Sequence, residues 1–365
     1  MDLEERHVQN MMLALPVGAD SWTDVVNLQD LFFRLTLDSA TEFLFGESVD
    51  SQLAAVPGYS VSRTTPNHDE STFAYAFDAG QNTLSEGARL GDRYWLAHRN
   101  SRFRQHCNDV HKFIDYYVQL ALNHELKDKE LERGTRYVFL EALAAETRDP
   151  VELRSQLLNI LLAGRDTTAS LLGWLCLLLV EHPDIFDKLR QTILDDFGTY
   201  SNPHNVTFET LKSCQYLQRC LNETLRLYPV VPINSRRALV DTTIPRGGGP
   251  DGTAPIYILK DTEVNYSVHV LHRRKDLWGE DADEFKPDRW IGRRPGWEYL
   301  PFNGGPRICI GQQFALTEAS YVMVRLLQRF DRLEGVNTPK VVRHGLALTS
   351  HPYDGVVCRL HEAPA

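Results

Sequence analysis

Residues 301–311 read PFNGGPRICIG, and a helical pattern follows them directly. Cys309 has small, rigid or polar neighbours here, whereas a buried structural cysteine normally rides in an apolar strand or helix. With a helix expected over Ile310–Phe330, Cys309 lies at its N-terminus, where free backbone N–H groups favour negative charge. Such a setting favours thiolate over thiol. Gly304, Gly305 and Gly311 remove side chains, so something flat and bulky can approach the backbone. Arg307, two residues upstream of the thiol, offers a forked donor to a carboxylate. The competing reading is a buried, inert thiol.

The chain around this stretch has 365 residues, 42% hydrophobic and 24% charged, enough for a large core. A net charge of −10 gives no compositional support to a nucleic-acid-binding face, and no nucleic-acid partner is expected. Beyond that, the acidic balance reads as solubility. Among Cys107, Cys176, Cys214, Cys220, Cys309 and Cys358 there is no C-x-x-C and no Cys/His grouping with zinc-ligand spacing. Reduced thiols in a compartment open to cytosol are expected. The N-terminus, MDLEERHVQNMM, lacks the basic and apolar regions of a signal peptide. The longest apolar run, Leu171–Val180, stays short of a ~20-residue span even when extended back to Thr167. It reads as a buried core helix, and no anchor is visible in this chain.

Residues 1–150 read as helical, with no internal repeats. LQDLFFRLTLDSATEFLF places Leu28, Leu31, Phe32, Leu35 and Ser39 on one stripe, and VHKFIDYYVQLALNHELKD behaves similarly. Pro57–Asp69 reads as a loop and RGTRY, 133–137, as a linker. One long helix is expected from Val151 to Val180. The next starts at HPD, with Pro183 in its first turn, Asp184 and Asp187 favourable to its dipole, and Gly198 at its end. A further helix, LKSCQYLQRCLNETLRLY, stops before Pro229. Residues 230–268 carry short β-like pieces, IYIL and EVNYSV, with RGGGPDGTAP rich in turn residues. The tail 340–361 suggests a last hairpin. The expectation is one domain over 1–365, mainly α with a small β portion.

A thiolate, room for a planar partner and a cation for its carboxylates together suggest haem. On those residues the sequence resembles the cytochrome P-450 family of haem-thiolate monooxygenases. The family's cysteine signature, Phe-x-x-Gly-x-Arg-x-Cys-x-Gly, fits Phe302, Gly305, Arg307, Cys309 and Gly311. The resemblance implies the cytochrome P-450 fold, haem b (iron protoporphyrin IX) as cofactor, and Cys309 as axial ligand of the iron. Within the long helix, Ala163-Gly164-Arg165-Asp166-Thr167-Thr168 resembles the oxygen-activation segment. A glycine, an acid and hydroxyls are locally unfavourable in mid-helix, and an inserted water or a widened turn would explain them. Asp166 and Thr167 would then relay protons to dioxygen, with Ala163 and Gly164 facing the cofactor. The alternative is a packing glycine with back-bonded threonines.

Glu223 and Arg226 share a helix face three residues apart and match the family's Glu-x-x-Arg pair. Arg289, in FKPDRW, would close a buried ion network with them; alone, the pair reads as an exposed helical ion pair. In PINSRR, Arg236 matches a position that holds a haem propionate, with Arg237 as a competitor for the role. Trp95 and Arg99 also fit a family motif, Trp-x-x-x-Arg. They lie too near the long helix for that motif's place in the chain, and read as part of a surface or core helix.

Longer stretches, among them LLAGRDTTA, HRRKDLWGEDADEFKPDRW and PFNGGPRICIGQQFALTEASYV, look like the fungal alkane and fatty-acid hydroxylases. That resemblance implies hydroxylation of a terminal or near-terminal carbon of a long-chain aliphatic substrate by a monomer. It also implies the endoplasmic reticulum membrane, on its cytosolic face. Electrons would come from an NADPH-cytochrome P-450 reductase, since no dinucleotide-binding GxGxxG appears. Family members are longer at the front, where the anchor and first strands lie, so the chain is expected to be N-terminally truncated. Two rivals stand beside this reading. One is a haem-thiolate isomerase or dehydratase, against which Asp166-Thr167 argues. The other is an inactive truncated product.

Overall fold

The longest helix, Pro150–Glu181, is started by its own sequence. Asp149 accepts hydrogen bonds from the N–H groups of Val151 and Glu152, and Pro150 occupies a first-turn position that needs no N–H. At the other end His182 leaves the helical region and Pro183 begins the next helix. The structure, a computed structural model, describes residues 1–56, 58–59, 70–123, 138–338 and 341–364. The linker expected at 133–137 and nearly all of the loop at 57–69 lie outside the described residues.

In chain order the helices are α1 (Asp2–Leu13), α2 (Leu28–Phe45), α3 (Ser51–Ala54), α4 (Glu70–Arg89), α5 (Trp95–His98), α6 (Ser101–Leu122) and α7 (Phe139–Glu146). They continue with α8 (Pro150–Glu181), α9 (Pro183–Phe197), α10 (Phe208–Ser213), α11 (Gln215–Leu227), α12 (Val268–Leu271), α13 (Lys275–Trp278) and α14 (Gln312–Arg329). The strands are β1 (Val26–Asn27), β2 (Ile233–Arg237), β3 (Thr242–Gly248), β4 (Ala254–Ile258), β5 (Glu263–Ser267), β6 (Phe330–Gly335), β7 (His344–Leu346), β8 (Ser350–Pro352) and β9 (Val357–Glu362). Four small antiparallel sheets result, β1-β9-β6, β2-β5, β3-β4 and β7-β8.

Helix α8 threads two apolar clusters. Leu153, Leu157 and Leu161 join Leu37, Leu44 and Phe45 of α2, Phe73 and Phe77 of α4, and Phe113 and Ile114 of α6. Ala169 to Leu179 join Val8 and Met11 of α1, Leu28 and Phe32 of α2, and apolar side chains of α9, α11 and α14. Helix α2 spans both clusters, which is why Leu28, Leu31, Phe32, Leu35 and Ser39 are all buried as the stripe predicts. The polar segment of α8 that carries Gly164, Arg165, Asp166 and Thr167 falls between the two. Trp174 fixes the second cluster: fully buried, it stacks on Tyr228 at 4.3 Å and donates from Nε1 to the Ser350 carbonyl at 3.0 Å. Such a ring pair is worth roughly 0.5–1.5 kcal/mol beyond its buried area.

Several boundaries differ from the sequence reading. The segment Leu211–Tyr228 is two helices, not one: Cys214 has ψ 90 and turns the chain, which lets Leu211 and Leu217 both bury. The turn-rich RGGGPDGTAP contributes Arg246–Gly248 to β3, and the reversal is confined to the residues after it. The tail forms the small β7-β8 hairpin, and β9 then pairs with both β6 and β1 near the chain start. No widened turn interrupts α8 at Gly164. The helix is continuous, and Thr167 Oγ1 donates back to the Ala163 carbonyl at 2.7 Å, as the alternative reading of a back-bonded threonine has it. Among the described residues no single helix is long and apolar enough to cross a membrane.

Candidate functional site: a cysteine loop and a polar helix segment

The cysteine loop is shaped by backbone conformations that its sequence permits. Asn303 and Gly305 take positive φ of 64 and 72, and a single turn of tight helix covers Gly305–Arg307. Asparagine tolerates that region and glycine adopts it without strain. A side chain at Gly304 would bring a Cβ to 2.7 Å from the Trp297 ring, so the loop closes on that ring only with glycine. The Cys309 N–H donates to the Phe302 carbonyl at 2.9 Å and ties the thiol-bearing residue back across the loop. From outside, Tyr266 of β5 donates its hydroxyl to Asn303 Oδ1 at 2.6 Å. Helix α14 begins at Gln312 with Gly311 as its N-cap, two residues later than the Ile310 start expected from sequence, so Cys309 lies just ahead of the helix N-terminus.

The loop leaves the thiol open. Cys309 is exposed, whereas Cys176, Cys214, Cys220 and Cys358 are buried. Burial pushes the Cys214 and Cys358 thiols up to about 12 and those of Cys176 and Cys220 well above the ordinary range. Exposed apolar side chains flank Cys309: Ile308 at 54%, Ile310 at 104% and Phe314 at 40%.

Strand register separates the two candidate arginines. Arg236 lies opposite Val264 and Arg237 opposite Glu263, so the two project from opposite faces of the β2-β5 ribbon. Arg237 pairs with Glu263 at 3.5 Å and with Asp92 at 3.6 Å. Arg236 shares its face with Tyr266, which contacts the cysteine loop, and bonds only to the Ser235 carbonyl at 2.8 Å. Arg307 has no ion-pair partner among the described residues. Arg237 is engaged by two carboxylates, whereas among the described residues neither Arg236 nor Arg307 has a carboxylate partner.

Glu223, Arg226 and Arg289 meet as the family resemblance implies, not as the exposed ion pair that spacing alone suggests. Glu223 and Arg226 are fully buried, and Arg289 nearly so. Arg226 grips Glu223 with Nε and Nη2, both at 2.8 Å, and donates to the carbonyls of His272, Ala282 and Glu284. Every N–H of its guanidinium therefore has an acceptor. Glu223 also receives Arg289 Nε at 3.1 Å, Trp290 Nε1 at 3.0 Å and the Lys286 N–H at 3.0 Å. Sequence reasoning missed several parts of this network. Asp281 takes Arg289 Nη1 at 2.7 Å, which holds its carboxyl well below the usual range. His272 carries the network towards the cysteine loop: its Nδ1 donates to the Arg226 carbonyl at 3.2 Å, and its Nε2 accepts from the Leu300 N–H at 2.8 Å. Burial pushes the imidazole down to about 4, consistent with that neutral tautomer. No pattern in VLHRR marks the histidine, because its partners are backbone groups.

On α8, Ala163 is exposed, Gly164 and Thr167 are half-buried, and a Cβ at Gly164 would meet no atom within 4 Å. The glycine is therefore not there to pack against a neighbouring element. Asp166 is buried, which pushes its carboxyl up to about 6 against the lowering effect of Arg165. Thr168 turns inward and is 1% exposed. Trp95 and Arg99 lie on the exposed α5 with the guanidinium 4.6 Å from its own neighbour's ring, a local pair.

These side chains fit haem. The loop supplies a soft sulfur donor for iron, the Arg307 guanidinium for a propionate, and exposed apolar side chains near the sulfur for the macrocycle; strand β2 supplies Arg236 for the other propionate.

Comparison with known proteins agrees with the geometry. The cytochrome P450 family profile matches residues 6–359. The chain is 56% identical to cytochrome P450 monooxygenase g430 of a Fusarium species, covering 98% of this chain and 63% of that relative. It is 50% identical to cytochrome P450 52A13 of Debaryomyces hansenii, covering 90% of this chain and 63% of the relative. The crystal structure of the cytochrome P450DA heme domain superposes with a TM-score of 0.77 at 22% identity, over 100% of this chain and 73% of that one. The likeness shows a shared fold. The chain belongs to the cytochrome P450 family. It spans somewhat under two thirds of the length of both curated relatives.

Proposed function

We propose that this chain carries the haem-binding part of a haem-thiolate monooxygenase that inserts one oxygen atom of O2 into an aliphatic C–H bond. The observation that carries the reading is the exposed Cys309 thiol in a glycine loop that carries Arg307, with Arg236 over Tyr266, which bonds Asn303 of that loop. Haem b, when bound, supplies the redox chemistry that activates O2, with a cysteine ligand that favours O–O cleavage. The chain's own residues do the rest. Cys309 Sγ ligates iron, while Arg236 and Arg307 pair with the propionates. Gly305 and Gly311 keep side chains off that surface, and Ala163 and Gly164 leave the facing helix open. Asp166, pushed up to about 6 by burial, exchanges a proton near neutral pH. Thr167 holds a hydroxyl one residue on. Glu223, Arg226 and Arg289 keep the loop in place from behind.

The resemblance to fungal alkane and fatty-acid hydroxylases supports a long-chain aliphatic substrate. By the same resemblance, an NADPH-dependent reductase supplies electrons at the cytosolic face of the endoplasmic reticulum. The test is coupling in haem-loaded protein reconstituted with such a reductase. Thr167→Ala should bind haem and keep consuming NADPH, while hydroxylated product falls by about 10²-fold or more and peroxide rises. Thr168, turned into the core, should leave coupling unchanged when replaced by alanine. Equal uncoupling in both variants, or full coupling in both, contradicts the assignment.

A further inference from the structure

Arg165, immediately before the proposed proton donor, is a buried cation with two carboxylates competing for it. Its side chain is 7% exposed, and its Nη1 bonds Asp78 of α4 while standing 3.4 Å from Asp166 Oδ1. The rings of Phe33 on α2 and Phe77 on α4 lie 5.5 Å from the guanidinium carbon and hold it between helices. Asp166 Oδ1 is buried and accepts no hydrogen bond. Asp78, by contrast, is 53% exposed, at the solvent edge of α4.

We propose that Arg165 and Asp78 form a latch between α4 and α8 through which the position of α4 sets whether Asp166 holds a proton. With α4 seated, Asp78 takes the hydrogen bond from Nη1, and Asp166 Oδ1 keeps the same guanidinium at 3.4 Å without a bond from it among the described residues, with the Asp78 anion nearby. With α4 lifted, Asp78 leaves, and Arg165 is free to bond Asp166 and favour its charged form. Arg165 is thus a positioning residue that acts through Asp166. The groups facing this site are Asp38 from α2, Asp78 and Gln81 from α4, and Arg165 from α8 itself. Beyond them stand Glu318 of α14, which receives the Ser39 hydroxyl, and His351 of β8, which packs on Phe33. Burial, Arg165 and Asp78 act on Asp166 in that order, with Asp78 opposing Arg165.

The inference rests on the proposed proton role of Asp166, but its test does not use turnover. NMR titration of isotope-labelled aspartate carboxyls in the full chain, with Asp166→Asn assigning the resonance, reads the midpoint directly. Asp78→Asn, which keeps a side-chain oxygen for Arg165 at a half-exposed position while removing the charge, should lower the Asp166 midpoint from about 6 towards the ordinary value of about 4. Arg165→Gln should raise it, and Arg165→Lys should restore it part of the way. A midpoint unmoved by Asp78→Asn, or moved upward by it, overturns the latch. Failure of the Thr167 coupling test with these shifts intact would instead remove the monooxygenase reading and leave the latch standing.

Discussion

Arg226 and Glu223 show how one pair of side chains can decide a site some distance away in sequence. Both are fully buried, and every polar atom they carry is engaged. Removing one partner strands the other charge, at a cost on the order of 3–5 kcal/mol, and removing Arg226 also frees the carbonyls of His272, Ala282 and Glu284. The loss reaches the cysteine loop because His272 holds the Leu300 N–H and Tyr299 donates its hydroxyl to Asn222. Glu223→Ala should therefore give little soluble, haem-loaded protein and a large fall in denaturant midpoint. Lys188→Ala, which breaks an exposed pair with Asp288, should shift the midpoint by at most about 1 kcal/mol. Equal stability of these two variants would contradict a buried network.

At the scale of elements, helices α1, α2, α8 and α14 meet over buried carboxylates. Burial pushes Glu318 of α14 up to about 7, and Asp38 of α2 and Asp166 of α8 up to about 6. Glu4 of α1 is raised well above its ordinary value, first by burial and then by Glu318. These groups keep their protons in the folded chain at a pH where the unfolded chain has lost them. Stability therefore falls as pH rises from about 4 to about 7, by up to roughly 1.4 kcal/mol per pH unit for each such group. Glu318→Gln keeps the shape without the charge, so unfolding curves between pH 5 and pH 8 should be flatter than wild type. A fall with pH of the same steepness in both proteins would show that Glu318 does not carry its share. The elements were largely legible in sequence where helix ends and stripes marked them: Pro183, Gly198 and the Leu28–Ser39 stripe. What escaped was set by tertiary contacts. Cys214 breaks a helix so that residues on both sides can bury, and Arg246–Gly248 enters β3 although its composition is that of a turn. Within the site, the family resemblance marked Glu223 and Arg226, while Asp281, His272 and Asp78 were invisible because their partners are distant or are backbone groups.

For the whole molecule, the fold brings a cysteine loop, Arg236 and Arg307, and the ion network behind the loop into one assembly. Helix α8, where a Cβ at Gly164 would meet no neighbouring atom, runs through both apolar clusters of the same fold. The central claim is that this assembly holds haem through Cys309 alone. Each other thiol in the core is buried and held protonated by its surroundings, while Cys309 is exposed. The most direct measurement is the reduced, carbon-monoxide-bound absorption spectrum of the haem-loaded chain. Wild type, Cys214→Ser and Cys220→Ser should all give the Soret band of a thiolate-ligated haem, and Cys309→Ser should lack it. A thiolate band that survives in Cys309→Ser, or a wild-type chain that takes up no haem, would contradict the account.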